Sequence, residues 1–218
     1  MPKERKRARN RNIGVVLLLA LVFLLSVFAG VLLLRELRAS EQSPVGRWRM
    51  ELDLTDHART CANLWLREAA LGDRVDAGDA LPRLSVGILL TLDADGRWSR
   101  SVDRASYDAA AAAAVRAAGA SLQELLALRL ADSGRSTAGG AEALFRSATG
   151  MSPAEYLSRH GPQLLTPLAE LEGRFNGGGS YTASDGRLSL DGRQFSFALA
   201  DGMLILSDAG GSEVYRHA

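Results

Sequence analysis

The sequence predicts an α+β protein: an N-terminal transmembrane helix, followed by an antiparallel β-barrel or curled sheet of about eight strands with a helical insertion. Three observations predict this architecture. A long uncharged apolar run follows a basic tail, short alternating segments occupy both ends of the remaining chain, and helix-forming residues fill the part between them. Because turn residues separate the alternating segments, we expect neighbouring strands to pair antiparallel.

Residues 13–34 form a run of 22 residues without a charged side chain, and six Lys or Arg residues precede it in residues 1–12. As a helix this run spans about 33 Å, enough to cross a hydrocarbon core of about 30 Å. The basic flank predicts a cytoplasmic tail over residues 1–12, a linker over residues 35–44 and an extracytoplasmic domain over residues 45–218. The chain is thus predicted to be a single-pass protein of the cell membrane, with membrane lipid as one partner.

A cleaved signal peptide is the alternative for this segment, because Val27-Phe28-Ala29 has small residues at acceptable cleavage positions. The apolar run, however, continues through residue 34, which makes it longer than the apolar core of a usual signal peptide. The sequence therefore favours an uncleaved anchor.

The predicted outer domain is mildly acidic, since residues 41–218 contain 18 Arg against 23 Asp or Glu. A nucleic-acid partner would need a basic face, so none is predicted, and topology and anionic lipid explain the basic tail. Cys61 is the only cysteine, which excludes an intramolecular disulfide. Its amphipathic surroundings favour a buried thiol over an intermolecular disulfide or a reactive thiol.

The first strand is predicted over residues 46–54, where apolar and charged residues alternate strictly. Every second residue from Trp48 to Leu54 is apolar, as on one face of a half-buried strand. Thr55-Asp56 can cap a following helix over residues 57–71, which would end at Gly72. A hairpin comes next, with strands over residues 84–92 and 97–102.

The pattern becomes helical from about residue 106 to residue 172, which we interpret as an insertion between the third and fourth strands. Two capping boxes divide it. Ser121-Leu122-Gln123-Glu124 would open a helix over residues 122–131, and Ser152-Pro153-Ala154-Glu155 would open another that ends at Gly161.

Strands return after the sequence Gly177-Gly178-Gly179, which we interpret as a flexible connection from the insertion. They are predicted over residues 180–183, 187–190, 194–199, 203–207 and 213–217. Asp-Gly pairs follow each of the first three, and Asp-Gly between alternating strands is the strongest short-range hairpin signal. With the first three strands, this meander gives about eight.

Both ends of the domain resemble bacterial lipocalin-like domains of uncharacterised cell-surface proteins and lipoproteins. Residues 45–48 (VGRW) are similar to their Gly-x-Trp opening, and residues 90–98 (LTLDADGRW) to their LTF…DGTY hairpin. Residues 179–190 (GSYTASDGRLSL) resemble their GTY…LTL repeat, and residues 212–216 (SEVYR) their closing strand. The resemblance covers roughly residues 45–103 and 178–218 and implies a lipocalin-like barrel. This chain departs from the lipoprotein pattern by its anchor helix and by lacking a lipid-acceptor cysteine.

The resemblance also implies that Trp48 closes the base of the barrel, which is a structural role. An eight-stranded barrel either holds one small ligand or is filled by its own side chains. The side chains expected in the interior, where they would face a ligand, are those of Trp48, Trp98, Phe195, Phe197, Leu204 and Leu206.

No sequence pattern indicates catalysis, a metal site or a cofactor. His57, His160 and His217 lack metal-ligand spacing, and no Gly-x-Ser-x-Gly elbow is present. The sequence therefore predicts a non-enzymatic binding or scaffolding module whose partner is a small apolar ligand or a surface protein.

Two other functions stay open. A surface enzyme would need polar residues that converge only in the fold, for example Glu51, Asp53 and His57 near the first strand. A structural partner of another membrane protein would use the anchor helix, although the chain has no Gly-x-x-x-Gly motif there. That helix offers four small residues: Gly14, Ala20, Ser26 and Gly30.

Overall fold

Eight antiparallel strands close into a barrel in sequence order. The computed structural model describes residues 43–68, 81–133 and 140–218. The strands are β1 (Gly46–Asp53), β2 (Ser85–Leu92), β3 (Arg97–Val102), β4 (Gly177–Ser184), β5 (Arg187–Leu190), β6 (Arg193–Ala200), β7 (Met203–Asp208) and β8 (Gly211–His217). The α+β class and the antiparallel eight-stranded barrel are therefore confirmed.

Helices follow β1 and fill the connection from β3 to β4. They are α1 (Thr55–Glu68), α2 (Arg104–Ser133), α3 (Gly140–Thr149), α4 (Pro153–His160) and α5 (Leu168–Phe175), with a 3₁₀ turn at Gly161–Leu164. The predicted tail, the transmembrane segment 13–34 and linker residues 35–42 lie outside the described residues. In the part of the chain that is described, no helix is long and apolar enough to span a membrane.

A short seam between β8 and β1 closes the barrel. Trp48 lies opposite His217 and Arg49 lies opposite Arg216. Beyond this pairing, the N–H of Ala218 donates to the carbonyl oxygen of Arg47 at 2.9 Å. The seam joins the first and last strands, so no local sequence pattern could predict it.

Tight Asp-Gly turns set the register of the second half of the barrel. Asp185, Asp191 and Asp201 have φ values of 49°, 47° and 52°, and the glycine after each also has a positive φ. Positive φ at both central residues is the signature of the type I′ turn, whose twist matches that of the strands it joins. The predicted hairpins are confirmed.

Helix α2 is continuous over Arg104–Ser133, so the prediction that a helix begins at the Ser121 capping box is wrong. Its buried apolar side chains recur every fourth residue: Ala110, Ala114, Ala118, Leu122, Leu126 and Leu130. All of these except Leu130 pack in the core that joins the helices to the barrel, so one apolar stripe runs through the predicted start site. Tertiary packing therefore overrides the local start signal.

The second capping box is confirmed at the start of α4. The hydroxyl of Ser152 accepts the N–H of Glu155, and the carboxylate of Glu155 accepts the N–H of Ser152 at 2.8 Å. The helix ends at His160, as predicted. Gly161 keeps a right-handed helical φ of −51° and begins the 3₁₀ turn, and a Cβ at this residue would lie 2.8 Å from Val115 Cγ2.

The glycine run after the insertion is part of β4, so its interpretation as a flexible connection is wrong. Gly177 pairs with Arg100 and Gly179 pairs with Trp98. A Cβ on Gly177 would lie 3.0 Å from the Trp98 ring, so the missing side chain makes room for the indole. Glycine here serves close packing.

Two hydrophobic clusters form the core. One lies inside the barrel, and the other joins one end of the barrel to the helices through Val86, Ile88 and Val102. Met50 packs against both clusters. The helical layer therefore shares a core with the barrel.

Candidate functional site

The six residues predicted to lie in the barrel interior are all part of the inner cluster or packed against it. Trp48, Phe195, Leu204 and Leu206 are buried in it, and Trp98 and Phe197 are partly buried and pack against it. Each lies on the inward-facing register of its strand, as the alternation of the sequence indicates.

Other inward-facing side chains pack among them. The remaining buried members of the inner cluster are Leu90, Leu92, Leu188, Leu190 and Tyr215. The Trp48 ring meets the imidazole of His217 edge-on, with 5.3 Å between ring centroids. The inner cluster is thus contiguous apolar packing, of the kind in which a small barrel is filled by its own side chains.

A polar network lies beside this packing and was not predicted from the sequence. Arg100 Nη1 lies 3.3 Å from Glu213 Oε2, and Arg100 Nε donates to the carbonyl oxygen of Phe175 at 2.9 Å. The hydroxyl of Tyr215 donates to Glu213 at 2.8 Å, and burial raises the pKa of this hydroxyl. The network connects β3, β8 and the end of α5, which are distant in the sequence.

A cavity of about 200 Å³ lies outside the barrel, between α1 and the segment formed by α4 and the 3₁₀ turn. We call it the helix cleft. Its lining residues are Cys61, Leu64, Trp65, Glu68, His160, Gln163 and Leu164. Sequence reasoning missed it because α1 and the 3₁₀ turn come together only in the fold.

The helix cleft has an apolar floor and a mixed rim. Trp65 and Leu164 are 5% and 1% exposed, whereas Leu64 is 55% exposed. Glu68 and Gln163 are also exposed, and Cys61 and His160 are half-buried. A molecule in the cleft would therefore meet apolar surface below and polar groups at its edge.

Aromatic rings in tilted and edge-on contact hold the floor in place. Tyr156 lies 5.3 Å from Trp65, 5.3 Å from Phe145 and 4.4 Å from His160, measured between ring centroids. The hydroxyl of Tyr156 also donates to the carbonyl oxygen of Trp65 at 3.2 Å. This cluster joins α1, α3 and α4, which makes the floor rigid.

Glu68 supplies the carboxylate of the cleft. It makes no ion pair with the residues that the structure describes. Burial raises the pKa of the Tyr156 hydroxyl, and the negative charge of Glu68 raises it further. The charge of Glu68 therefore acts on the hydroxyl of Tyr156 in the aromatic cluster.

The thiol in the cleft has the character of an unreactive group. Cys61 Sγ lies 3.6 Å from Nε2 of His57, one turn earlier on α1. Burial raises the pKa of this thiol, which lowers the fraction of thiolate at neutral pH. Cys61 is half-buried, whereas the sequence predicted a buried thiol, and its raised pKa favours an inert thiol over an activated nucleophile.

The polar residues considered for an enzyme have separate partners. Glu51 accepts a hydrogen bond from Arg49 at 2.7 Å, which lowers the pKa of Glu51, and His57 faces Cys61. Asp53 accepts the N–H of Thr55 at 2.9 Å at the start of α1. Within residues 43–68, 81–133 and 140–218, no group of three His, Cys, Asp or Glu side chains could hold a metal ion.

Comparison with protein-family models, with curated proteins and with solved structures finds no match to this chain.

Proposed function

We propose that the protein is a membrane-anchored, extracytoplasmic, lipocalin-like module that binds another protein without catalysis. The barrel is a rigid support, and the recognition surface is the helix cleft with the exposed Leu64 at its rim. The lipocalin-like assignment is supported by the closed eight-stranded barrel and by Trp48 in its inner cluster. Membrane anchoring is supported by the sequence of residues 1–34.

The contrast between the barrel interior and the helix cleft carries the proposal. Inside the barrel, Leu188, Leu204 and Tyr215 are fully buried against one another and their neighbours. The cleft instead offers concave surface with an apolar floor and convergent polar groups, which are the usual features of a binding site. We therefore assign binding to the helical layer and a supporting role to the barrel.

Site-specific photo-crosslinking in intact cells tests the proposal. A photoreactive phenylalanine analogue replaces Leu64 at the rim of the cleft or Leu128 on α2. These leucines are matched, because their exposed fractions are 55% and 57% and both lie on helices. We expect a discrete adduct with one second protein from position 64, identified by mass spectrometry, and none from position 128. The same adducts from both positions, or none from position 64, would contradict the proposal.

A further inference from the structure

We propose that the helix cleft binds an apolar group that carries a positive charge, as presented by a hydrophobic side chain next to Lys or Arg on a partner protein. This inference rests on the protein-binding function proposed above and names the chemistry of the contact.

The apolar half of the ligand is indicated by the floor. The indole of Trp65 and the side chain of Leu164 are almost completely buried, and the exposed Leu64 extends the same surface to the rim. Covering the exposed Leu64 with an aliphatic or aromatic group removes apolar area from water, which favours binding.

The charged half is indicated by Glu68. Its carboxylate is exposed at the rim, and a bound cation would not have to displace a partner among the described residues. The indole of Trp65 borders the same space, and the face of an indole attracts cations. An anionic ligand would instead be repelled by Glu68.

The size of the cleft limits the ligand to a small group. Sites for drug-sized molecules have volumes of about 300–1,000 Å³, whereas the helix cleft has about 200 Å³. A side chain of a partner protein fits this volume.

Arg67 and Arg159 are neighbours of the lining residues in the sequence but do not line the cleft.

Cys61 gives a direct readout, because it lines the cleft and is the only cysteine of the chain. The purified full-length chain in detergent is treated with cationic 2-aminoethyl or anionic 2-sulfonatoethyl methanethiosulfonate. In both reactions the thiolate attacks the reagent sulfur, a mixed disulfide forms and methanesulfinate leaves. The ratio of the two modification rates of Cys61 is divided by the same ratio measured with a free thiol in solution. The quotient reports the charge of the cleft.

We expect the cationic reagent to be favoured by about three- to tenfold in the wild type, as for a single carboxylate a few ångströms away. Glu68→Gln should abolish this preference. Glu124→Gln on α2 is the matched control, since Glu124 is also an exposed helical carboxylate, and it should keep the preference.

Two probes with four carbon atoms each and opposite charges test binding itself. n-Butylammonium at millimolar concentration should slow the modification of Cys61 several-fold by a neutral thiol reagent, whereas butyrate at the same ionic strength should not. The protection should vanish in Glu68→Gln and increase in Gln163→Glu, which adds a second carboxylate to the rim. Equal protection by butyrate, protection that survives in Glu68→Gln, or no protection by n-butylammonium would overturn the inference.

The two proposals fail separately. If position 64 crosslinks to a partner but n-butylammonium does not protect Cys61, the protein-binding function stands and the preference for cations is refuted. If n-butylammonium protects Cys61 but position 64 crosslinks to no partner, the cleft binds cations and the proposed protein-binding function is refuted.

Discussion

At the scale of single residues, Asp103 joins the barrel to the helical layer. One of its carboxylate oxygens accepts the N–H groups of Ala105 and Ser106 at the start of α2, and the other accepts Arg49 Nη1 at 2.7 Å. Burial acts to raise the pKa of Asp103, but these hydrogen bonds outweigh it and hold the pKa below its usual value. The charged form of Asp103 therefore stabilises the fold.

Asp103→Asn should lower the free energy of unfolding by about 1 kcal/mol at neutral pH, because the Asn oxygen still caps α2 but the ionic hydrogen bond to Arg49 is lost. A lowered pKa in the folded state gives stability above the pKa of the unfolded chain, and this stability is lost as pH falls through the folded value. The difference between wild type and variant should therefore shrink below about pH 4. Urea unfolding at neutral and acidic pH measures the difference in stability between wild type and variant.

Asp95→Asn is the control for this experiment, because Asp95 is an exposed residue of the turn between β2 and β3. It should leave the free energy of unfolding nearly unchanged at both pH values. A constant difference between wild type and Asp103→Asn across the acid range would show that Asp103 does not stabilise the fold through its charge.

Tyr215 carries a second prediction at this scale. Its hydroxyl donates to Glu213, so Tyr215→Phe leaves a partly buried carboxylate with one donor fewer. We expect a loss of about 1–3 kcal/mol in the free energy of unfolding. Tyr181→Phe should cost less, because the Tyr181 hydroxyl donates to the backbone carbonyl of Asp93 in an exposed turn. Equal costs in denaturant titrations would contradict the role of the Arg100 network.

At the scale of elements, the packing of α2 buries the polar side chain of Ser121, which is unfavourable for stability. Ser121 is 8% exposed, and its hydroxyl has no partner among the described residues. Ser121→Ala removes this unpaired polar group and replaces it by the best helix former, so we expect a gain of about 1 kcal/mol. Ala118→Ser places a hydroxyl in the same buried stripe and should be destabilising. Thermal unfolding compares the two, and a loss of stability in Ser121→Ala would show that the hydroxyl is satisfied.

Whether an element could be predicted depends on how far apart in the sequence its interacting residues lie. The Asp-Gly turns and the Ser152 capping box are set by residues next to one another, and both were predicted correctly. Ser121 has the same local signal as Ser152, but the buried stripe of α2 overrides it. The β1–β8 seam and the helix cleft join distant segments, so the sequence of neither segment could indicate them.

At the scale of the whole molecule, the topology predicted from residues 1–34 can be tested with the single thiol. Cys61 is half-buried in the predicted extracytoplasmic domain, and no other cysteine competes for the reagent. We expect the membrane-impermeant 2-sulfonatoethyl methanethiosulfonate to modify Cys61 in intact spheroplasts, slowly, since burial raises its pKa. Mass spectrometry detects the adduct. Modification that requires lysis of the spheroplasts would place the domain in the cytoplasm.

The position of the barrel seam also has a consequence for how the molecule is made. β1 leaves the ribosome first and has to wait for β8, the last strand of the ring, before its second edge is paired. Contacts this distant in sequence form slowly, and open strand edges associate with other chains. During that interval Trp48 lacks its edge-on contact with His217, so apolar surface of the inner cluster stays uncovered. The synthesis of β8 therefore ends the interval in which the barrel has an open edge.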